Sequence, residues 1–193
     1  MNNLFNINNK RILFIHIPKT AGTSILSCLN DGKDFKIKHS LLKTYPSAIL
    51  DSFIVFSVIR NPFDRFVSQW LYHTNYDDNF FSKKYGKNFD IFSYFNLVKQ
   101  IKHETVTWKT MSEYLLNGNK KIDFLLRYEN LNQDWTNFCK EINYECELNV
   151  CKKTNRQHYS KYYTPFLISK IEEMYGEDLV NFNYKFKYEK EVL

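Results

Sequence analysis

With 193 residues and 44% apolar composition, the chain holds enough hydrophobic material for one substantial core but is too short for two ordinary domains plus linkers. One domain over residues 1–193 is therefore expected. No stretch approaches the run of about 20 apolar residues that spans a bilayer, and residues 1–10 lack a signal peptide's apolar core, so a soluble, cytoplasmic protein with no membrane anchor is expected. The net charge of +6 suits a protein that handles anions, but the lysines are spread along the chain, which speaks against a nucleic-acid partner.

Residues 11–16 are continuously apolar up to His16 rather than alternating, the pattern of a strand buried on both faces in a parallel sheet. A loop of small residues follows, and then a helix over 23–30 that Asp31-Gly32 ends. Alternation of Phe35 and Ile37 predicts a short second strand. His39 comes next, with a brief helix over 41–45 that Pro46 stops. Residues 53–59, again apolar and in part β-branched, read as another buried strand. In the next helix Asn61 caps, Pro62 suits the first turn, and Asp64 meets the exposed N–H groups. Its Phe63, Phe66, Val67, Trp70 and Leu71 share one face. Asn61, Arg65, Ser68 and Tyr72 share the other, which predicts that Ser68 is held away from the core.

Residues 73–88 are polar and aromatic without a period, and a mobile loop is expected there. Helices are expected over 90–102, 111–116 and 131–142, with a short strand over 123–126. A last helix opens at Thr164-Pro165 and presents Leu167, Ile168, Ile171 and Met174 together. Strands alternating with helices give an α/β fold: a mainly parallel central sheet flanked by helices. Ligands of such sheets bind beyond the carboxyl ends of the strands, so Lys19 and Arg60 are expected to open into one cleft. Cys28, Cys139, Cys146 and Cys151 form no CxxC pair and have no histidines at zinc spacing, so they are expected as thiols.

The first strand runs into a phosphate-binding turn of P-loop-like build. Backbone N–H groups at a helix N-terminus attract anions, and Lys19, Thr20, Thr23 and Ser24 beside Gly22 add donors. The lysine precedes the only glycine of the loop, unlike the order in GxxxxGK[ST]. His16-Ile17-Pro18-Lys19-Thr20-Ala21-Gly22-Thr23-Ser24 resembles the 5′-phosphosulfate-binding loop of sulfotransferases that use 3′-phosphoadenosine-5′-phosphosulfate (PAPS). The form is that of the carbohydrate (heparan/chondroitin-type) branch. Residues 56–68, Phe-Ser-Val-Ile-Arg-Asn-Pro-Phe-Asp-Arg-Phe-Val-Ser, resemble the same family's 3′-phosphate-binding strand and helix, with Arg60 and Ser68 eight positions apart. Weaker similarity continues through residues 123–135 and 158–186.

The resemblance implies PAPS as sulfuryl donor, a carbohydrate or other hydroxyl-bearing acceptor, and no metal. Lys19 would stabilise charge on the departing phosphate oxygen. Thr20, Ala21, Gly22, Thr23 and Ser24 would join it on the 5′-phosphate, and Arg60 and Ser68 would hold the 3′-phosphate. An acceptor hydroxyl needs a base to take its proton as the new bond forms. His39 is the candidate, because Lys36-Ile37-Lys38-His39-Ser40 resembles the place where carbohydrate sulfotransferases keep a catalytic histidine. The loop over 73–88 would shape acceptor binding, with His73 able to line that cleft. From charge and position alone, Arg156 and Tyr159 are expected to help close over nucleotide or acceptor.

Two other readings share the scaffold. A P-loop kinase or hydrolase lacks support, because GxxxxGK[ST] and a metal-holding aspartate after an apolar strand are missing. A non-catalytic module that binds anionic glycan or nucleotide would keep the same loop without turnover.

Overall fold

The computed structural model describes residues 3–33, 35–75, 80–116, 122–148 and 156–189. The chain divides into two compact units, Met1–Arg60 with Lys109–Lys153, and Asn61–Trp108 with Thr154–Leu193.

The first unit carries a four-stranded sheet in the order β1-β2-β3-β4. Strand β1 (Leu4–Ile7) pairs antiparallel with β2 (Lys10–Ile15) through a two-residue turn. Asn8 and Asn9 both take positive φ there, 48° and 63°. A hairpin of this kind needs left-handed residues at both turn positions, and asparagine tolerates them. Helix α1 (Gly22–Leu29) follows β2 and ends where Asp31 and Gly32 turn left-handed. The Gly32 N–H donates back to the Ser27 carbonyl at 2.9 Å. The strand expected at Phe35 and Ile37 does not form. Residues 35–41 have no ladder partner, and Ile37 lies 49% exposed, so the short alternation marks an irregular segment.

The brief helix before Pro46 is a single 3-10 turn, Leu42–Thr44, and Pro46 itself opens a short helix α2 (Ser47–Ser52) that the sequence reading did not anticipate. Strand β3 (Ile54–Ile59) then lies parallel to β2, with Ile15 opposite Ser57. On its other side it lies parallel to β4 (Phe124–Arg127). The Asp123 carboxylate accepts the Val55 N–H at 2.7 Å and ties the entrances of β3 and β4 together. Phe14, Phe56 and Phe138 stack in sequence at 4.7 and 4.3 Å and form core.

The second unit is helical and centred on α3 (Pro62–Asn75). The Asn61 side chain accepts the Phe63 N–H at 3.0 Å, as a cap should. The expected polar face is not turned to solvent. Asn61 (5% exposed), Arg65 (2%) and Ser68 (7%) are buried, and Tyr72 is half-buried. The cause is that α3 packs against α4 (Phe80–Tyr85), α5 (Ile91–Ile101), α8 (Pro165–Asn181) and the 3-10 turn Tyr159–Tyr162, so little of its circumference is left to water. Within the loop expected over 73–88, the chain is helical through Asn75 and over Phe80–Tyr85, and residues 86–88 are not; residues 76–79 lie outside the described set. Buried Phe81 stacks on His73 at 4.7 Å, so the aromatics that hid the helical period fill a small aromatic core instead.

The remaining expected helices stand at α5, at α6 (Met111–Leu115), at α7 (Leu131–Glu141) and at α8. Thr164 caps α8 by accepting the Leu167 N–H. Cys28, Cys139 and Cys146 are thiols, and Cys151 lies outside the described residues. Among the described residues no helix is long and apolar enough to cross a membrane.

Candidate active site

The turn after β2 is built on left-handed backbone at Lys19 (φ 67°) and Ala21 (φ 68°). Neither is glycine, and each such residue costs about 1–2 kcal/mol, the kind of strain that functional loops retain. Thr20 is fully buried, and its hydroxyl donates to the Ile17 carbonyl at 2.9 Å, closing the loop from inside. Ala21 occupies the N-cap of α1, where serine or aspartate would ordinarily accept a helix N–H. Alanine has no oxygen to do so, and no acidic residue stands in the first turn. The positive end of α1, with Gly22, Thr23 and Ser24, is thus left without a side-chain anion of its own.

His16 explains why residue 22 is glycine. Its ring is buried, stacks on Phe14 at 5.4 Å, and presses on the start of α1. A Cβ on residue 22 would stand 1.8 Å from the His16 Nε2, so any larger residue would displace the ring or the helix. His16 Nδ1 has no hydrogen-bond partner among the described residues, and burial, reinforced by nearby His39, pushes the imidazole well below its ordinary range. His16 is therefore held neutral. The His39 ring lies 4.4 Å away, and its Nδ1 is 3.0 Å from the His16 carbonyl oxygen. A carbonyl can only accept, so Nδ1 carries a proton, and in the neutral ring the lone pair sits on Nε2.

Arg60, the residue after β3, is 4% exposed. Its guanidinium donates to the Lys19 carbonyl at 2.9 Å and lies 3.7 Å over the Tyr128 ring. Its backbone N–H points at the Met111 sulfur at 3.4 Å. Parallel pairing of β2 with β3 brings these strand ends together within the first unit, where the Arg60 guanidinium meets the Lys19 main chain. In the second unit Ser68 lies buried on α3. Arg156 forms an ion pair with Asp64 in the first turn of α3, and Tyr159, 6% exposed, accepts the Lys187 N–H through its hydroxyl. Both are therefore engaged in holding the second unit together. His73 is buried, with its Nδ1 2.7 Å from the Tyr94 hydroxyl, and belongs to the aromatic core.

A family model described as the sulfotransferase family matches residues 2–185. The chain belongs to the sulfotransferase family. An uncharacterized protein of Archaeoglobus fulgidus is 29% identical over 102 residues, which cover 53% of this chain and 78% of that one. Among solved structures, this sulfotransferase is similar to mouse sulfotransferase SULT7A1 complexed with PAP. The TM-score is 0.60 at 14% identity, over 92% of this chain and 87% of that one, a likeness of fold.

Three features of the candidate site left little or no signal in the sequence. Tyr128, the stacking partner of Arg60, lies in the Arg127-Tyr128-Glu129-Asn130 block just beyond β4. A strand parallel to β3 ends at the same sheet edge, and that was the available signal. Arg127 itself donates its N–H to Asp134 at 2.7 Å, tying the end of β4 to α7. The contact of Gly22 with His16 and that of Arg60 with Met111 left no signal in spacing.

Proposed function

We propose that this sulfotransferase moves a sulfuryl group from PAPS to a hydroxyl of a carbohydrate acceptor. The bond between sulfur and the 5′-phosphate oxygen breaks as the acceptor oxygen attacks in line, and the acceptor proton passes to His39 Nε2. Lys19 meets the charge that builds on the departing oxygen. The N–H groups at the start of α1, with Ala21, Gly22, Thr23 and Ser24, bind the 5′-phosphate. Thr20 joins through its main chain, because its hydroxyl is engaged within the loop. Arg60 takes the 3′-phosphate, and the eight-residue spacing of the second motif carries Ser68 as its hydroxyl partner.

The observation that carries this reading is His39, tied to the carbonyl of His16 so that its basic nitrogen belongs to the same strand end as the phosphate turn. The bound PAP of the mouse relative supports the choice of donor. The Pro-Lys-Thr-Ala-Gly-Thr-Ser loop supports a carbohydrate acceptor over a small phenol or steroid, whose enzymes resemble Ser-Gly-Thr-Thr-Trp there. The family match runs across both compact units, which supports one sulfotransferase domain. The thiols suit a reducing compartment such as the cytoplasm.

Label transfer from PAPS to a panel of glycans is expected to give a sulfated product without added metal. Magnesium-dependent transfer or hydrolysis of ATP would favour a kinase or hydrolase instead, and nucleotide binding without product would favour a non-catalytic module. The 3′-phosphate assignment has its own measurement. Arg60→Ala is expected to weaken 3′-phosphoadenosine-5′-phosphate by about 10–100-fold, the value of a charged hydrogen bond, and adenosine 5′-phosphate much less. Arg60 also braces the Lys19 carbonyl, so some loss for both nucleotides is built in. Equal losses in calorimetry would reduce Arg60 to that brace.

A further inference from the structure

At the far end of α1 from the phosphate turn, two cysteine sulfurs converge on one oxygen. Cys28 Sγ is 3.2 Å from the Glu147 carbonyl oxygen, and Cys146 Sγ is 3.6 Å from the same oxygen. The two sulfurs are therefore no farther apart than those two distances laid end to end. The residues around them hold this approach in place. The Tyr144 hydroxyl lies 2.8 Å from the Cys28 carbonyl, the Tyr144 N–H donates to the Cys139 carbonyl at 2.8 Å, and Trp135 Nε1 donates to the Cys146 carbonyl at 2.9 Å. Cys28 is 7% exposed, whereas Cys146 is half-buried and within reach of a small solute.

We propose that Cys28 and Cys146 are an oxidant-sensitive pair, which a low-molecular-weight disulfide converts into a disulfide that staples the phosphate-turn helix to the 144–148 segment. The transfer chemistry proposed above is not needed for it. The Cys146 thiolate attacks glutathione disulfide, forming a mixed disulfide and releasing one glutathione thiolate. The Cys28 thiolate then attacks the Cys146 sulfur and expels the second. Two protein thiols lose two electrons and two protons; glutathione disulfide gains them and leaves as two thiols. Residues 144–148 form neither helix nor strand, so they can supply the sulfur movement that bonding distance requires. Cys139 is a poorer partner. Burial pushes its thiol up to about 11, leaving little thiolate near neutrality.

The test is treatment of the folded, full-length protein with oxidised glutathione, followed by alkylation and peptide mapping by mass spectrometry. A peptide containing Cys28 should be found linked to one containing Cys146, with two of the four thiols lost and both restored by dithiothreitol. The unfolding midpoint of the oxidised form should rise by about 5 °C or more, because the bond closes a loop of more than a hundred residues. Cys28→Ser should stop at a glutathione adduct on Cys146, and Cys146→Ser should give no Cys28 linkage. A wild-type map that pairs Cys146 with Cys139 or Cys151, or a glutathione adduct that persists in the wild type, would overturn the proposal. The map is read on the unmutated protein, so a poorly folding variant does not blunt it.

Discussion

His39→Ala is expected to lower kcat by about 10²–10⁴-fold while the affinity for 3′-phosphoadenosine-5′-phosphate stays as it was. An acceptor hydroxyl at neutral pH does not give up its proton unaided as the sulfur–oxygen bond forms. The His39 tautomer, fixed by donation of Nδ1–H to the His16 carbonyl, leaves Nε2 as the atom that takes it. The nucleotide contacts proposed here involve other side chains, so binding and turnover should separate. His39→Asn sharpens the experiment. Its amide keeps a donor for the His16 carbonyl but has no basic nitrogen, so it should be as slow as alanine if proton transfer is the role. Should Asn restore most of the rate, His39 would be a brace rather than a base, and the base would have to be sought among other residues.

What the sequence made legible follows from how local the signal was. Strands β2 and β3 stood out because a strand covered on both faces needs an unbroken apolar run, and few other elements tolerate one. Their parallel pairing then brings Lys19 and Arg60 together without further information. Strand β1 was missed although its turn signal, Asn8-Asn9, was in view; its four residues are too few for a clear period. The Phe35/Ile37 alternation failed for the opposite reason. A period of two appears by chance over four residues, and no free edge of the sheet received it. The wheel sets Ser68 away from the core, yet it is buried, because a single helix wheel cannot register how many partners pack on α3. The fit of the His16 ring against Gly22 and the stacking of Tyr128 on Arg60 join residues through space, so no window along the chain contains them.

Lys19→Ala should cost about 10²–10³-fold in kcat, the loss that accompanies removal of a single donor to charge developing in a transition state. Simple disruption of the loop would have a similar effect, and the backbone distinguishes the two. Lys19 sits at φ 67°, where lysine and alanine are strained alike, so the alanine variant changes the side chain while leaving the conformational cost in place. Its carbonyl, which Arg60 grips at 2.9 Å, is main chain and survives the substitution. Lys19→Gly goes further. Glycine takes left-handed backbone without penalty, so this variant should fold at least as stably as alanine at the same position and still be as slow. If the rate follows the side chain, both variants fall together whatever their melting temperatures. A Lys19→Gly enzyme that turned over normally would mean that the turn needs only its shape, and the departing phosphate oxygen would then have to be met by the N–H groups of α1 alone.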